Sequence, residues 1–414
     1  VVVGRNTYGG EETLVGLRTS HRAQLTYIIG ISGTCITTII KSMAYQDICS
    51  GKGVCVIDPH GDMVEELLKV IPESRKNDVI YLNLADKDFP VGLNILNPGT
   101  KFTDIEEEHA WITRSLMSVF MKITPKERWG QRMEHILRNA TLTALLAPHP
   151  SEITPYICLM TIQKLLTDAN YRKSISTGLT DPVLKQFWDK EFALYGKMQQ
   201  AEVVSPLTNK LGEFITDHLS RNILLQEHST INLSQIMNEG KVLLVNLSKG
   251  NLGEERSAFF GTILTSLIQL AAYGRAGLPE SKRKDFFLYI DEFQNFATTS
   301  FAIILSEARK YHLNLIVANQ FIGQIDEEVK NAVFGNVGTI MSFRVGVQDA
   351  NFLQHEFTPT FSESDLTNVE RYHTFVKTIV DNEPMPPFSM DLTRDVEAER
   401  KLANPKLAEM IKKL

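Results

Sequence analysis

The first candidate site is a run of nine residues between a short apolar segment and an amphipathic helical pattern. It reads Gly30, Ile31, Ser32, Gly33, Thr34, Cys35, Ile36, Thr37 and Thr38. In the pattern GxxxxGK[ST], backbone amides cradle phosphate groups, the lysine binds them and the hydroxyl holds magnesium. Gly30 and Thr37 fit this pattern, whereas Cys35 stands at its second glycine and Ile36 at its lysine. The run therefore predicts a site for nucleotide phosphates and Mg²⁺ that lacks two functional residues.

Two adjacent carboxylates, Asp291 and Glu292, end a second apolar segment that begins at Phe286. An apolar strand ending in Asp-Glu is typical of ATPases, in which the aspartate holds magnesium and the glutamate orients and deprotonates the attacking water. We therefore predict Asp291 as a metal residue and Glu292 as the catalytic base. The alternative is a pair of surface carboxylates at a strand end, but the phosphate-loop pattern upstream favours the catalytic interpretation.

A third candidate is Gln320, which follows an apolar segment that runs into Asn319. An amide side chain can donate hydrogen bonds to phosphate oxygens, so a glutamine just past a strand can sense the γ-phosphate of a nucleotide. The alternative is an Asn-Gln pair that caps a helix or lies in a loop. We predict a catalytic sensor role for Gln320 and leave this alternative open.

Seven short runs rich in β-branched residues alternate with helical stretches, which indicates a parallel α/β sheet. The runs span residues 25–29, 54–58, 79–82, 242–247, 286–291, 313–318 and 339–343. Ligands of open parallel sheets bind at the carboxyl ends of the strands. Asp58, Asn246, Asp291 and Gln320 fall at such ends. The strand pattern therefore predicts that these polar side chains share one edge of the sheet.

The strand pattern is interrupted between about residues 100 and 232, where apolar residues recur at helical spacing, as in Ile112, Leu116 and Phe120. Thr103 predicts a capping box with Glu106, and Pro125 predicts the start of a second helix. We expect an all-α insertion between the third and fourth predicted strands. The predicted domains are 1–99 and 233–393 for the two parts of the nucleotide-binding domain, 100–232 for the insertion and 394–414 for a charged helical tail.

The composition is that of a globular protein with two or more cores: 414 residues, 43% hydrophobic and 22% charged. The formal net charge of −6 gives no global basic signature for nucleic acid, so DNA contacts would have to come from a local basic patch. No apolar run reaches the roughly 18 to 20 residues that span a bilayer. We therefore predict no transmembrane segment in this chain.

Six short sequences, in their order along the chain, strengthen the nucleotide-binding interpretation. They are TYIIG at 26–30, GKGVCVIDPHGD at 51–62, VGLN at 91–94, DEFQNF at 291–296, EARKY at 307–311 and FGNVG at 334–338. Together they resemble the TraG/TraD-like coupling proteins of type IV secretion, within the HerA–FtsK superfamily of DNA-pumping ATPases. The resemblance runs from about residue 4 to residue 388. The set in this order is specific, although none of its members is specific alone.

The resemblance implies a RecA-like P-loop domain with a mostly parallel sheet and an inserted all-α domain. It implies ATP and Mg²⁺ as ligands, non-specific DNA, a relaxase and secretion-channel components as partners, and a homo-hexamer or mixed ring. It places Asp58 and His60 beside the phosphate loop and gives Arg344 the role of a catalytic, subunit-bridging arginine, with an ordinary strand-end ion pair as the alternative. Working members have lysine at the position of Ile36, and usually also at that of Ile31.

Two functions follow from this mixture of intact and altered positions. The first is a motor domain of conjugative DNA transfer that binds DNA and has weak binding of ATP, with hydrolysis impaired by Cys35 and Ile36. The second is a non-hydrolysing structural or substrate-docking subunit of a secretion or DNA-translocation complex. Whether the chain is an active enzyme stays open between them. Either function implies a cytoplasmic location, with attachment to the inner face of the bacterial membrane also left open.

Overall fold

A computed structural model describes residues 1–7, 10–100, 102–149, 156–392 and 402–413. The chain divides into two compact units. The first unit comprises Val1–Leu84, Gln235–Gly261 and Leu278–Leu414, and the second comprises Ala85–Ser234 and Thr262–Gly277. The first unit contains the sheet and the candidate site, and the second is built of helices.

The first unit is built on a single sheet of twelve described strands. They are β1 Val2–Asn6, β2 Thr13–Gly16, β3 Leu25–Ile29, β4 Gly53–Asp58, β5 Val79–Asn83, β6 Val242–Asn246, β7 Phe286–Ile290, β8 Leu313–Asn319, β9 Val337–Ser342, β10 His373–Val380, β11 Glu383–Pro384 and β12 Phe388–Asp391. The strand order is β2-β1-β12-β10-β9-β3-β8-β7-β4-β6-β5, and β11 pairs with β10. All pairs from β9 to β5 are parallel, and those from β2 to β9 are antiparallel.

The seven predicted strands all lie in the parallel part of this sheet. β3, β4, β6, β7 and β8 are buried at every residue. Strands covered on both faces need apolar side chains at consecutive positions, which is why their sequences were recognisable. β4 and β6 pair in parallel with Val54 opposite Val242, so the strands on either side of the helical insertion join one sheet, as predicted.

The sequence did not predict the antiparallel extension formed by β1, β2 and β10 to β12. Along β10, half-buried residues alternate with buried ones, and β2 is largely exposed. Strands with one solvated face carry polar residues at alternate positions, and short strands of this kind give a weak signal. This extension was therefore decided by pairing with β9 rather than by local sequence.

Eighteen described α-helices accompany the strands. They are α1 Thr19–Arg22, α2 Ile36–Cys49, α3 Asp62–Val70, α4 Ile105–Ile123, α5 Gln131–Leu146, α6 Leu159–Thr167, α7 Ala169–Thr177, α8 Pro182–Gln186, α9 Lys197–Thr216, α10 His218–Leu224, α11 Leu233–Glu239, α12 Lys249–Leu252, α13 Glu254–Gly274, α14 Thr299–Glu307, α15 Glu327–Asn336, α16 Val347–Phe357, α17 Glu363–Thr367 and α18 Pro405–Lys412. The predicted apolar face of α2, including Ile39 and Met43, is buried in the core.

The second unit contains α4 to α10, which lie in the chain between β5 and β6, and most of α13, which lies between β6 and β7. Its predicted apolar faces are buried, including Ile112, Leu116 and Phe120 on α4. Two details of the prediction were wrong. Asp104 rather than Thr103 caps α4, because its carboxylate accepts a hydrogen bond from the Glu106 amide. α5 begins at Gln131, and Pro125 starts a turn instead, since its carbonyl accepts from the amide of Arg128.

Residues 394–401 and 414 of the predicted tail lie outside the described residues. α18 occupies much of the remainder and packs on the core through Leu407, Ala408 and Ile411. Pro405 does not interrupt this helix but begins it, because a proline in the first turn loses no helical hydrogen bond.

Among the described residues, one helix segment, Glu254–Gly277, is long and apolar enough to cross a membrane by length and composition. Its most apolar stretch has a mean hydropathy of 1.3, and 89% of that stretch is buried inside the protein. This segment was not detected from the sequence, and its burial is that of a core helix. The predicted absence of a transmembrane segment stays a prediction.

Candidate nucleotide-binding site

Three neighbouring parallel strands bring the predicted motifs to one edge of the sheet. β8 lies between β3 and β7, so the phosphate loop after β3, the Asp-Glu pair after β7 and the Asn-Gln pair after β8 adjoin one another. They surround a cavity of about 350 Å³. Its described lining residues are Gly30, Ile31, Ser32, Gly33, Thr34, Cys35, Ile36, Thr37, Thr38, His60, Asp291, Glu292, Asn319, Gln320, Arg371 and Tyr372.

The first half of the phosphate loop is tied to the neighbouring strand end. The Ile31 amide donates to the Arg344 carbonyl (2.8 Å), and the Thr34 hydroxyl donates to the Ile31 carbonyl (2.6 Å). A Cβ on Gly30 would lie 2.5 Å from the Cβ of Phe343, closer than two carbons can approach. This close approach requires glycine at position 30, as the phosphate-loop pattern demands.

The two altered positions lie where the loop enters α2. Cys35, the residue before the helix, has φ 79° and ψ 22°, which is left-handed backbone that glycine adopts without strain and cysteine does not. Ile36 is partly buried and packs against the apolar core of the unit. The loop thus has left-handed backbone at the position of the second glycine of the pattern, occupied by Cys35, and an apolar side chain at the position of the lysine, occupied by Ile36.

Asp291 lies deep in the cavity, 8% exposed, beside the start of α2. The Thr37 hydroxyl donates to Asp291 Oδ2 at 3.5 Å, and the Glu292 amide donates to Oδ1 at 2.9 Å. Burial, together with the nearby charges of Glu292 and Asp58, raises the pKa of Asp291 to about 7. A buried carboxylate with a raised pKa next to a hydroxyl is a set of hard oxygen ligands that a divalent cation would stabilise in its ionised form.

The oxygen atoms of Thr37 and Asp291 are ligands of the kind that Mg²⁺ prefers. Thr37 and Asp291 would hold it, and the remaining ligands would be water and phosphate oxygens, as is usual for Mg²⁺ in proteins. In the described part of the chain, no group of three or more His, Cys, Asp or Glu side chains is arranged to hold a metal by itself. The site therefore suits a cation that arrives with a phosphorylated ligand.

Glu292 is held between two amide side chains. Gln294 Nε2 donates to one oxygen of its carboxylate, and Gln320 Nε2 donates to the other. The residue is 9% exposed and has left-handed backbone, with φ 50°. Strained backbone of this kind persists where the surrounding structure holds it. The contact joins the predicted base and the predicted sensor, which the sequence could place only at separate strand ends.

The structure places two further predicted residues outside the described lining of the cavity. The Asp58 carboxylate is buried and accepts hydrogen bonds from the backbone amides of His60 (2.8 Å) and Val64 (3.1 Å), so it holds the turn into α3. Arg344 contributes its carbonyl to the loop, but its side chain is exposed. The subunit-bridging role of Arg344 stays a prediction.

Sequence reasoning missed Arg371 and Tyr372, which lie between α17 and β10, and it passed over Asn319 in favour of Gln320. β10 pairs with β9, and β9 pairs with β3, so this pairing carries the Arg371 segment to the phosphate loop. No residue spacing in the sequence predicts that Arg371 lies near the phosphate loop. Asn319 could have been found, because it ends its strand directly before the predicted sensor.

Replacing Asp291 with asparagine is expected to stabilise the metal-free protein at alkaline pH. Because folding raises the pKa of this carboxyl to about 7, the folded protein holds its proton more tightly than the unfolded chain does. Ionisation of Asp291 therefore destabilises the fold. This loss of stability is absent below about pH 4, grows as the pH rises and is complete above about pH 7. We expect a gain on the order of 2 kcal/mol at pH 8, reduced from the full effect by water in the open cavity.

The measurement is urea denaturation in EDTA at pH 4 to 8. The difference between Asp291→Asn and the natural chain should grow as the pH rises. Glu328→Gln, which changes an exposed carboxylate on α15, is the matched control and should show no such trend. A difference that is independent of pH would mean that the Asp291 carboxyl titrates normally.

The fold and the arrangement of these loops define a RecA-like P-loop domain with an inserted all-α domain. Comparison with solved structures finds this fold in VirB4 of Thermoanaerobacter pseudethanolicus, with a TM-score of 0.64, 14% identity and coverage of 97% of this chain and 98% of that one. The plasmid coupling protein TrwB in complex with ADP and Mg²⁺ is also similar, with a TM-score of 0.63, 14% identity and coverage of 91% and 87%.

An unbound form of the bacterial conjugative coupling protein TrwB gives a TM-score of 0.61 at 12% identity, with coverage of 94% of this chain and 88% of that one. No protein-family model matches the chain, and a search of curated proteins finds no sequence match. The predicted resemblance to coupling proteins is thus confirmed at the level of the fold.

Proposed function

We propose that this chain is a coupling-protein-like motor domain of conjugative DNA transfer or type IV secretion, which binds ATP–Mg²⁺ weakly and hydrolyses it very slowly. The observation that carries the proposal is the convergence of the phosphate loop, the Asp291-Glu292 pair and Gln320 on one cavity. The similarity of the fold to TrwB and VirB4 supports the choice of a DNA-transfer motor over other P-loop ATPases.

Each residue at the cavity has a distinct part in this proposal. Loop amides at the start of α2 would bind phosphate oxygens, and Thr37 and Asp291 would hold a cation, which would supply positive charge to the phosphates. Glu292 accepts the proton of the attacking water. Gln320 donates to Glu292, and the same amide is placed to donate to the γ-phosphate of ATP, which would leave the carboxylate free to act as the base.

The second candidate is a non-hydrolysing structural or substrate-docking subunit, favoured by Cys35 and Ile36. The intact Asp291, Glu292 and Gln320 favour the motor, because a site without catalytic function would not need this constellation. The domain boundaries at residues 99/100 and 232/233, the homo-hexamer or mixed ring, and the relaxase and channel components as partners belong to the same proposal.

DNA binding separates these two functions. We expect the assembled protein to bind an unrelated duplex and an unrelated single strand with similar affinity, through phosphates. Because such binding releases counterions, affinity should fall about 10- to 1000-fold between about 50 and 200 mM salt. With a net charge of −6, the contacts must be concentrated on one face or in a pore.

The measurement is fluorescence anisotropy of labelled DNA at several salt concentrations, with the oligomeric state checked by light scattering. Scrambling the DNA sequence is the control and should leave the affinity unchanged. Absence of binding at low salt by assembled protein would reject the motor function and favour the docking subunit.

A further inference from the structure

The cavity at the phosphate loop contains a positive charge that the loop itself lacks. Arg371 is the one lysine or arginine among its described lining residues. Two carboxylates, Asp291 and Glu292, line the same cavity, so its other fixed charges oppose an anionic ligand. A polyphosphate in this site needs a cation beyond the magnesium that it brings, and Ile36 offers none.

We propose that Arg371 supplies to bound phosphates the positive charge that lysine supplies at position 36 in the usual phosphate loop. The inference rests on the proposed nucleotide-binding function and extends it to a residue outside every phosphate-loop pattern. A guanidinium is suited to the task, because its planar set of N–H donors matches phosphate oxygens and is always charged.

The backbone around Arg371 is held in place while its side chain remains available. The Tyr372 carbonyl accepts a hydrogen bond from the Leu392 amide (2.7 Å), just past β12, and the His373 ring lies 3.1 Å from the Arg371 carbonyl. Tyr372 has left-handed backbone with φ 68°, and its ring centroid lies 5.0 Å from Arg371 Cζ. No acidic side chain in the described part of the chain pairs with this guanidinium.

The nearby basic side chains are less suited to this role. Arg344 and Arg371 both have exposed side chains, but only Arg371 lines the cavity, whereas Arg344 contributes its carbonyl to the loop. Lys41, on the second turn of α2, is engaged with Glu66 at 2.6 Å. Arg371 is thus the cation that combines a place at the loop with a free guanidinium.

The test is a double-mutant cycle on the full chain between Arg371→Ala and Ile36→Lys. ATP binding in the presence of Mg²⁺ is measured by isothermal titration calorimetry for the natural chain, both single variants and the double variant. We expect Arg371→Ala to weaken binding at least about tenfold in the natural chain and less than about threefold when lysine is present at position 36, a coupling of the size seen for residues that share one partner.

Two further variants serve as controls. Arg371→Lys should bind more tightly than Arg371→Ala but more weakly than the natural chain, because it keeps the charge and loses the planar set of donors. Arg18→Ala should change nothing, because it removes an exposed arginine elsewhere in the same unit. Equal effects of Arg371→Ala in both backgrounds, no effect in the natural chain, or ATP binding only after Ile36→Lys would overturn the inference. Absence of ATP binding in all variants, with unchanged thermal unfolding, would instead reject the nucleotide-binding function itself.

Discussion

The double variant Cys35→Gly with Ile36→Lys is expected to hydrolyse ATP about 100- to 1000-fold faster than the natural chain. This is the usual effect of restoring one electrostatic contact to a transition state. The natural chain should hydrolyse ATP very slowly or not at all. In a phosphate loop the lysine offsets charge that develops on the transferred phosphoryl group in the transition state, a role distinct from the binding of ATP in its ground state that is assigned to Arg371. Ile36 has neither charge nor donor, and it leaves phosphate oxygens facing apolar surface.

Cys35 contributes a separate defect. Its left-handed backbone, φ 79°, is the conformation for which glycine is used at the second conserved position of the loop. A Cβ there both strains the backbone and hinders close approach of phosphate to the amides. The loop nonetheless keeps this conformation, so the glycine substitution should relieve strain without rearranging the site.

Steady-state phosphate release in the presence of DNA measures this effect. Cys35→Ala with Ile36→Lys is the matched control: it removes the thiol but keeps the Cβ, and should recover less activity than the glycine variant. Adding Glu292→Gln to the repaired protein should abolish turnover again, because the base is lost. Robust turnover by the natural chain, or none by the repaired chain, would contradict this account.

Asp47→Ala is expected to destabilise the protein by about 3 to 5 kcal/mol, the cost of leaving a buried charge without its partner. Asp47 lies on α2 and accepts two hydrogen bonds from the Arg22 guanidinium, at 2.7 and 2.8 Å, and one from the Tyr289 hydroxyl. The Arg22 and Asp47 side chains are each 2% exposed. The cluster joins the helix of the phosphate loop to β7, the strand that delivers Asp291.

Chemical denaturation followed by circular dichroism gives the free energy of unfolding. Glu66→Ala is the matched control, since it breaks an ion pair with Lys41, which lies on the same helix as Asp47. The Glu66 side chain is 53% exposed, so the expected loss of stability is below about 1 kcal/mol. Removing both charges, with Arg22→Met and Asp47→Leu, should cost less than Asp47→Ala alone, because no buried charge is left unpaired. An Asp47→Ala protein as stable as the natural chain would show that solvent reaches the arginine.

The parallel part of the sheet and the main motifs of the site could be predicted from the sequence. Strands buried on both faces need consecutive apolar residues, and five of the seven predicted strands are buried at every residue, which made them visible as short apolar runs. The chemistry of a phosphate loop depends on residue types at fixed spacing, so the deviations at Cys35 and Ile36 could be read directly. Because parallel strands present their carboxyl ends at one edge, the proximity of Asp291 and Gln320 to this loop also followed.

Tertiary structure alone decided the rest. The position of Arg371 at the phosphate loop depends on β10 pairing with β9, and the antiparallel strands have solvated faces with little local signal. Asp58 was predicted as a ligand-binding residue at a strand end, but its carboxylate accepts hydrogen bonds from backbone amides of the following turn. Arg22 and Asp47 form a buried ion pair, and no local sequence pattern indicates that either residue is buried or paired. Contacts of this kind arise from the folding of distant segments against one another, and a reading of local spacing cannot supply them.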